Sequence, residues 1–377
     1  MSDSSQRGRG ERVPVDGLRR TVGAVFRAVG FSEAASSTVA EALVDADMRG
    51  VASHGSMLVP MYVDRVRAGS VSRRERAEVV VDLGAMAVLD AGHALGQLTG
   101  DQAMGIAVAK AKSFGVGVVA VRNAFHFGGA FRYVEAAARE GCVGLAAANT
   151  RPLMPAVGGA APVVGNNPLA VGVPMPDGPP VVLDMALSEA ALGKIRIAAA
   201  EGREIPSTWA SDADGRPTTD PRAALGGMLL PAAGHKGFAL ALVVDVLTGV
   251  LSGGGFGQAV QGLYSDVTVP NNCAHFFLAV DVAAFGDPAD FAERMSRLAA
   301  EVTGSPTAPG VERLYLPGQI EAENHRAALA CGVRVEDSVL EALRRTADEV
   351  GAVLPDSLAL AGAGGDVPAR ATGGTTA

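Results

Sequence analysis

Apolar residues recur at helical spacing after Asp16, at Leu18, Val22, Val25, Phe26 and Val29, and the pattern stops at Gly30, a natural helix end. Ser32 can cap a second helix that carries Val39, Leu43 and Ala46 on one face and runs to Met48-Arg49-Gly50. The stretch VASHGSMLVPMYVDRVRAGS then predicts a turn at Ser53-His54-Gly55 and a third helix, whose Pro60 falls in a first turn where proline is tolerated. The first seventy residues are therefore expected to be mainly helical.

Beyond them the pattern changes to short β-rich runs alternating with small-residue helices. EVVVDL, AVLDAG, VGVVAVRN, VGLAAANT, NPLAVGVP, PVVLDMA and HFFLAVD are the strands. Helices are expected at GDQAMGIAVAKAKSFG, near 188–200, 235–251 and 287–302, and at DSVLEALRRTADEVG. The expected organisation is a polar tail (1–12), a helical domain (13–80), a central α/β domain (81–312), helices packing back on the first domain (313–355) and a second small-residue tail (356–377). No internal repeat appears.

Composition narrows the function. A net charge of -8 and a pI near 5.3, with no basic stripe, argue against nucleic acid and anionic membranes as partners. Three separated cysteines, Cys142, Cys273 and Cys331, form no CxxC pair and point to neither a disulfide framework nor a zinc ribbon. The polar amino terminus and the lack of a long apolar run point to a cytoplasmic protein. No two histidines show the HxxxH spacing, so no metal site is expected.

Glycine-rich α/β chains often hold nucleotides, but the usual loops fail here. The glycines of GVGVVA (115–120) precede their strand where a Rossmann fingerprint follows it, and Lys194 is followed by Ile195 where a Walker loop needs Ser or Thr. RNAFHFGGAF (122–131) is more telling. It places His126 between two phenylalanines at a strand end, just before Gly128 and Gly129, which suits a residue presented to a ligand.

Taken in order, RGVASHG, VRNAFHFGGAFRYVEAAAREG, NTRPLMPAVGG, GNNPLAVGVP, VVLDMALS, IPSTWASDADGRPTTDP, LLPAAGHKGFALAL, LSGGGFG and LPGQ resemble the malate/L-lactate dehydrogenase family of the L-sulfolactate dehydrogenase type, over roughly residues 15–350. The resemblance implies an NAD- or NADP-dependent oxidoreductase. Its fold would be α/β and non-Rossmann, with a central, predominantly antiparallel β-sheet cofactor domain beside a mainly helical domain built from both chain ends. It also implies a homodimer.

Histidine, with an ordinary pKa near 6.5, suits the proton transfer that accompanies hydride transfer to or from a carbonyl carbon. The resemblance assigns that role to His126 or to His54, which Ser53 can orient, and leaves open which of them donates the proton. The alternative for His126 is a core histidine bonded to a carbonyl. His93 and His275 are expected to be structural. The positions matching cofactor contacts are Thr150, Leu183, Asp184, Met185, Ala186, Ser188, Lys194, His235, Lys236 and Gly318. Lys236 is the expected phosphate partner, and Asp184 serves equally well as a cap. Arg49 is the expected clamp for a substrate carboxylate.

Departures from the family pattern bear on the substrate. Leu58 stands where relatives commonly carry arginine, which implies a more apolar pocket, and Thr208 and Gln319 replace the usual glycine and glutamate. Two reactions remain: interconversion of a 2-hydroxy and a 2-oxo acid, and reduction of a cyclic or N-alkyl 2-imino acid. A catalytically inactive binding protein is the third class, disfavoured by the intact histidines and the GHKG segment.

Overall fold

The structure is a computed structural model that describes residues 10–353. β1 (Gly10–Val13) leads into α1 (Val15–Ala28), α2 (Glu33–Met48) and α3 (Val59–Ala68). Gly30 takes φ +100° after α1, where a side chain would be strained, and the Ser32 hydroxyl accepts a hydrogen bond from the Ala35 amide at 3.2 Å to start α2. Between α2 and α3 the chain makes two single turns, Ala52–His54 and Ser56–Leu58.

The central part begins with β2 (Glu78–Leu83), β3 (Met86–Asp90), α4 (Gly96–Phe114), β4 (Val116–Ala124), α5 (Phe131–Arg139) and β5 (Cys142–Ala148). It continues with β6 (Met154–Pro155), β7 (Pro162–Val164), β8 (Leu169–Val173), β9 (Val181–Met185), α6 (Leu192–Glu201), β10 (Ala210–Ser211), α7 (Pro221–Leu225) and β11 (Met228–Leu229). Then come α8 (His235–Asp245), extended by a π-helical turn at Val246–Val250, and β12 (Cys273–Asp281) and α9 (Pro288–Thr303). A seven-stranded sheet in the order β2-β3-β4-β12-β5-β8-β9 organises it. Only its β3–β4 pair is parallel, so the fold is mixed α/β with a mostly antiparallel sheet. Helix α4 lies directly on β4, because a Cβ at Gly117 would come within 1.9 Å of the Ala107 carbonyl oxygen.

The chain closes with α10 (Gln319–Cys331), β13 (Val333–Glu336) and α11 (Asp337–Val350). β13 pairs antiparallel with β1, and α11 packs on α1 and α3. Residues 10–12, which composition assigns to a polar tail, are thus part of a strand: Arg12 pairs in register with Arg334 and its guanidinium donates to the Gly332 carbonyl at 3.0 Å. Residues 1–9 and 354–377, which hold most of both expected tails, lie outside the described residues.

The helical core holds Leu18, Val22, Phe26, Leu43, Tyr62, Leu340 and Leu343, all almost fully buried, and burying each large side chain contributes about 1.5–3 kcal/mol. A second core fills the space between the sheet and α4 and α5. Buried Arg65 of α3 joins the layers: its guanidinium donates to the carbonyls of Gly262, Leu263 and Val269 at 2.9, 3.0 and 2.9 Å, fixing the loop before β12. Among the described residues no helix is long and apolar enough to cross a membrane.

Candidate active site

A cavity of about 710 Å³ opens where the turns after α2 meet the end of β4, the ends of β5 and β9, and the starts of α6 and α10. Ser53, His54 and Met57 come from the turns, and His126 to Phe131 form the floor between β4 and α5.

The turn that carries His54 is built around a carboxylate. Asp47, near the end of α2, accepts the Ser56 amide at 2.8 Å, and a Cβ on Gly55 would fall 1.9 Å from Asp47 Oδ1, so glycine is required there by close approach. Burial pushes the Asp47 carboxyl up to about 6, partly offset by its bonds to Ser56. The Ser53 hydroxyl lies 2.9 Å from His54 Nδ1.

His126 is held from behind. Its Nδ1 is 2.6 Å from the Tyr62 hydroxyl of α3, which in turn accepts from Gln97 Nε2 at 3.0 Å. Phe125 and Phe127 beside it are buried, and Phe127 stacks on His275 with 4.5 Å between ring centroids. The rings of His54 and His126 are 5.4 Å apart. Burial lowers the pKa of His126 well below the ordinary imidazole value, and the neighbouring His54 and His275 lower it further; burial likewise lowers that of His54. Both rings are therefore neutral at rest near pH 7. His275, expected to be structural, is fully buried at the cavity floor, where burial drives its pKa down to about 3. His93 lies outside the cavity lining.

The opposite wall is shaped by asparagines. The Thr150 amide donates to Asn167 Oδ1 at 2.9 Å and its hydroxyl to Asn166 Oδ1 at 2.9 Å, while buried Asn149 bridges Asp245 and the Gly255 carbonyl at 2.9 and 2.8 Å. Leu183, Asp184, Met185 and Ala186 line the cavity along β9, and Gly318 lines it with φ +85°, packed so closely on β9 that a Cβ would come 2.9 Å from that of Val182. Asp184 is open to the cavity but otherwise walled by protein, which raises its carboxyl to about 6; its Oδ2 accepts the Phe131 amide at 2.8 Å, capping α5 across the sheet edge.

Several expected residues are placed elsewhere. Arg49 lines the cavity, but its guanidinium forms a bidentate pair with Glu135 at 2.7 and 2.9 Å and a third bond to Asp45 at 3.0 Å, so its donors are already engaged and do not form a free substrate clamp. Leu58 is 2% exposed in the core of the helical layer, and Met57 takes the cavity position beside it. The expected apolar substitution in the pocket is thus a core residue at the end of a tight turn. Buried Ser188 donates to the Ala190 carbonyl at 2.9 Å, and Lys194, His235 and Lys236 are exposed; none of the four lines the cavity. Tyr62, Gln97 and the three asparagines are the supporting residues that the sequence reading passed over. The one signal was a tyrosine hydroxyl on the apolar face of the third helix.

A family description reading malate/L-lactate dehydrogenase matches residues 13–344. A malate dehydrogenase of Pyrococcus horikoshii is 35% identical over 348 residues, which cover 90% of this chain and 96% of that protein. A ureidoglycolate dehydrogenase (NAD(+)) of Escherichia coli O157:H7 is 35% identical over 82% of this chain and 88% of its own length. Among solved structures, the sulfolactate dehydrogenase of Methanocaldococcus jannaschii superposes with a TM-score of 0.86 at 33% identity, covering 90% of this chain and 98% of that one.

Proposed function

The chain belongs to the malate/L-lactate dehydrogenase family, and on that premise we propose that it moves a hydride between NAD or NADP and C2 of a small 2-hydroxy or 2-oxo acid, with His126 as the acid/base group. The observation that carries the reading is the Gln97–Tyr62–His126 chain, which fixes one nitrogen of a cavity-lining imidazole and leaves Nε2 for the reacting oxygen.

The cavity suits a dinucleotide with a small acid beside it. Its volume of about 710 Å³ lies within the range of about 300–1,000 Å³ typical of ligand pockets. Apolar Val182, Leu183 and Met185 offer a surface for a flat ring, and the Thr150 hydroxyl and Asn149 add polar contacts. The cofactor, when bound, supplies or accepts the hydride. In this reading it rests on the mostly antiparallel sheet and needs no Rossmann loop, which accounts for the failed fingerprint.

The remaining chemistry belongs to the chain. To act as a base in alcohol oxidation, His126 needs a free lone pair on Nε2, so Nδ1–H must donate to the Tyr62 oxygen. Tyr62 can then donate to Gln97 turned end for end, through Oε1, which is buried and otherwise without a partner. In the reductive direction the protonated ring donates from Nε2 to the oxygen on C2. Its lowered pKa makes it a stronger acid than free imidazole, so reduction should quicken as pH falls and oxidation should persist below pH 6.5. His54, oriented by Ser53, supplies a second neutral ring to position the acid. The reading includes a homodimer, supported by exposed Leu240, Val243, Val246 and Leu251 on one stretch of α8 and its extension.

The test is oxidation of NADH and NADPH with pyruvate, oxaloacetate and related 2-oxo acids, beside pyruvate with methylamine and a cyclic 2-imino acid. Turnover of a 2-oxo acid supports the reading. Turnover confined to the imines moves the enzyme to the second reaction, and turnover of none contradicts both.

A further inference from the structure

The cavity carries two cations that the proton chemistry does not use. Arg151, just after β5, and Arg196, in α6, both line it and both are exposed. Arg49, in the same cavity, is held by the carboxylates of Glu135 and Asp45. Arg151 and Arg196, in contrast, form no ion pair among the described residues.

Their surroundings place them together. Arg151, Arg196 and Tyr264 all line this cavity; Arg151 is open to it but partly walled by protein, and this desolvation and then the charge of Arg196 lower its proton affinity. Arg151 lies against Gly262, where a Cβ would meet its Cδ at 2.8 Å. The Gly262 and Leu263 carbonyls are gripped by buried Arg65, so the backbone leading to Tyr264 is fixed.

The start of α6 opens into the same space. Ala191, Leu192 and Gly193 line the cavity, no side chain caps the helix, and nothing lies within 4 Å of the place a Gly193 Cβ would occupy. An uncapped helix start presents free amides and the positive end of its dipole. Two like charges beside it repel each other, and an anion between them relieves that repulsion while meeting the helix amides.

We propose that Arg151, Arg196 and the start of α6 form a binding site for an oxyanion: a carboxylate, sulfonate or phosphate. The site rests on the oxidoreductase reading only for what carries the anion, which is either the far end of the substrate acid or a phosphate of the dinucleotide. It lies apart from Arg49, whose guanidinium is held by Glu135 and Asp45.

Calorimetric titration of the full chain, wild type and Arg151→Ala/Arg196→Ala, with L-malate, L-lactate, NADH and NADPH tests it. If the acid carries the anion, malate binds the wild type about tenfold or more tighter than lactate, and the double variant loses that advantage with dinucleotide affinities kept. If the dinucleotide carries it, the variant instead loses about tenfold in NADH or NADPH affinity with the acid ratio kept. The site is overturned if the variant leaves the acid ratio and both dinucleotide constants within about twofold, if it weakens all four ligands alike, or if none of the four binds the wild type. Absence of hydride transfer in the wild type would remove the proposed reaction and leave these binding ratios to decide the site.

Discussion

The two walls of the cavity treat their polar groups in opposite ways. Around the two cavity histidines the polar side chains are tied to one another within the protein: Ser53 meets His54, Tyr62 meets His126, and Asp47 ties down the turn. Around Arg151 and Arg196 two charges stand without an ion pair among the described residues, beside a helix start that no side chain caps. Satisfied groups hold an atom in place for chemistry, whereas unsatisfied ones mark where a ligand completes the bonding. The same contrast removes Arg49 from the second class, although its sequence position beside the histidine turn suggested a clamp.

Breaking the satisfied wall should have the larger effects. Gly55→Ala drives a methyl group into the Asp47 carboxylate, so the turn must move; a loss of about 2–4 kcal/mol in stability should show as a lower melting temperature, with turnover falling as His54 is displaced. Adding Asp47→Ala removes the obstacle. A double variant no better than Gly55→Ala alone would mean that the carboxylate is not what excludes a side chain.

Tyr62→Phe keeps the ring in the core and deletes only the bond to His126 Nδ1. Turnover should fall about tenfold, the worth of one hydrogen bond of roughly 1.4 kcal/mol, with the pH–rate profile displaced and cofactor affinity unchanged. A variant that folds normally with an unmoved profile would separate Tyr62 from the acid/base step.

At neutral pH the smallest effect is expected at His275, whose folded pKa of about 3 lies below its unfolded value. Between those values the unfolded chain binds the extra proton, so this residue subtracts stability as pH falls below about 6.5 and subtracts nothing at neutral pH. His275→Phe should flatten the fall in melting temperature between about pH 6.5 and 4, and an unchanged slope would mean that the ring is already charged in the fold.

The local elements were legible because they rest on local signals. The spacing from Leu18 to Val29, the Ser32 cap and the valine-rich runs all correspond to elements of the structure, and His126 stands just beyond the end of β4. What joins distant segments was not legible: Tyr62, Gln97 and His126 meet only when α3, α4 and β4 converge. Side-chain direction was equally hidden. Counting four residues from His54 reaches Leu58, but the turn points that residue into the core and gives the cavity Met57. His235 and Lys236 sit beside Gly234 at a helix start, as an anion site would require, yet both are exposed outside this cavity.

The central claim is that His126 moves the proton in hydride transfer, and single-turnover reduction of the best 2-oxo acid by His126→Ala and wild type tests it most directly. The account predicts a rate about a hundredfold to ten-thousandfold lower in the variant, with the dissociation constant of NADH or NADPH unchanged. A variant that reduces the acid at the wild-type rate would contradict it.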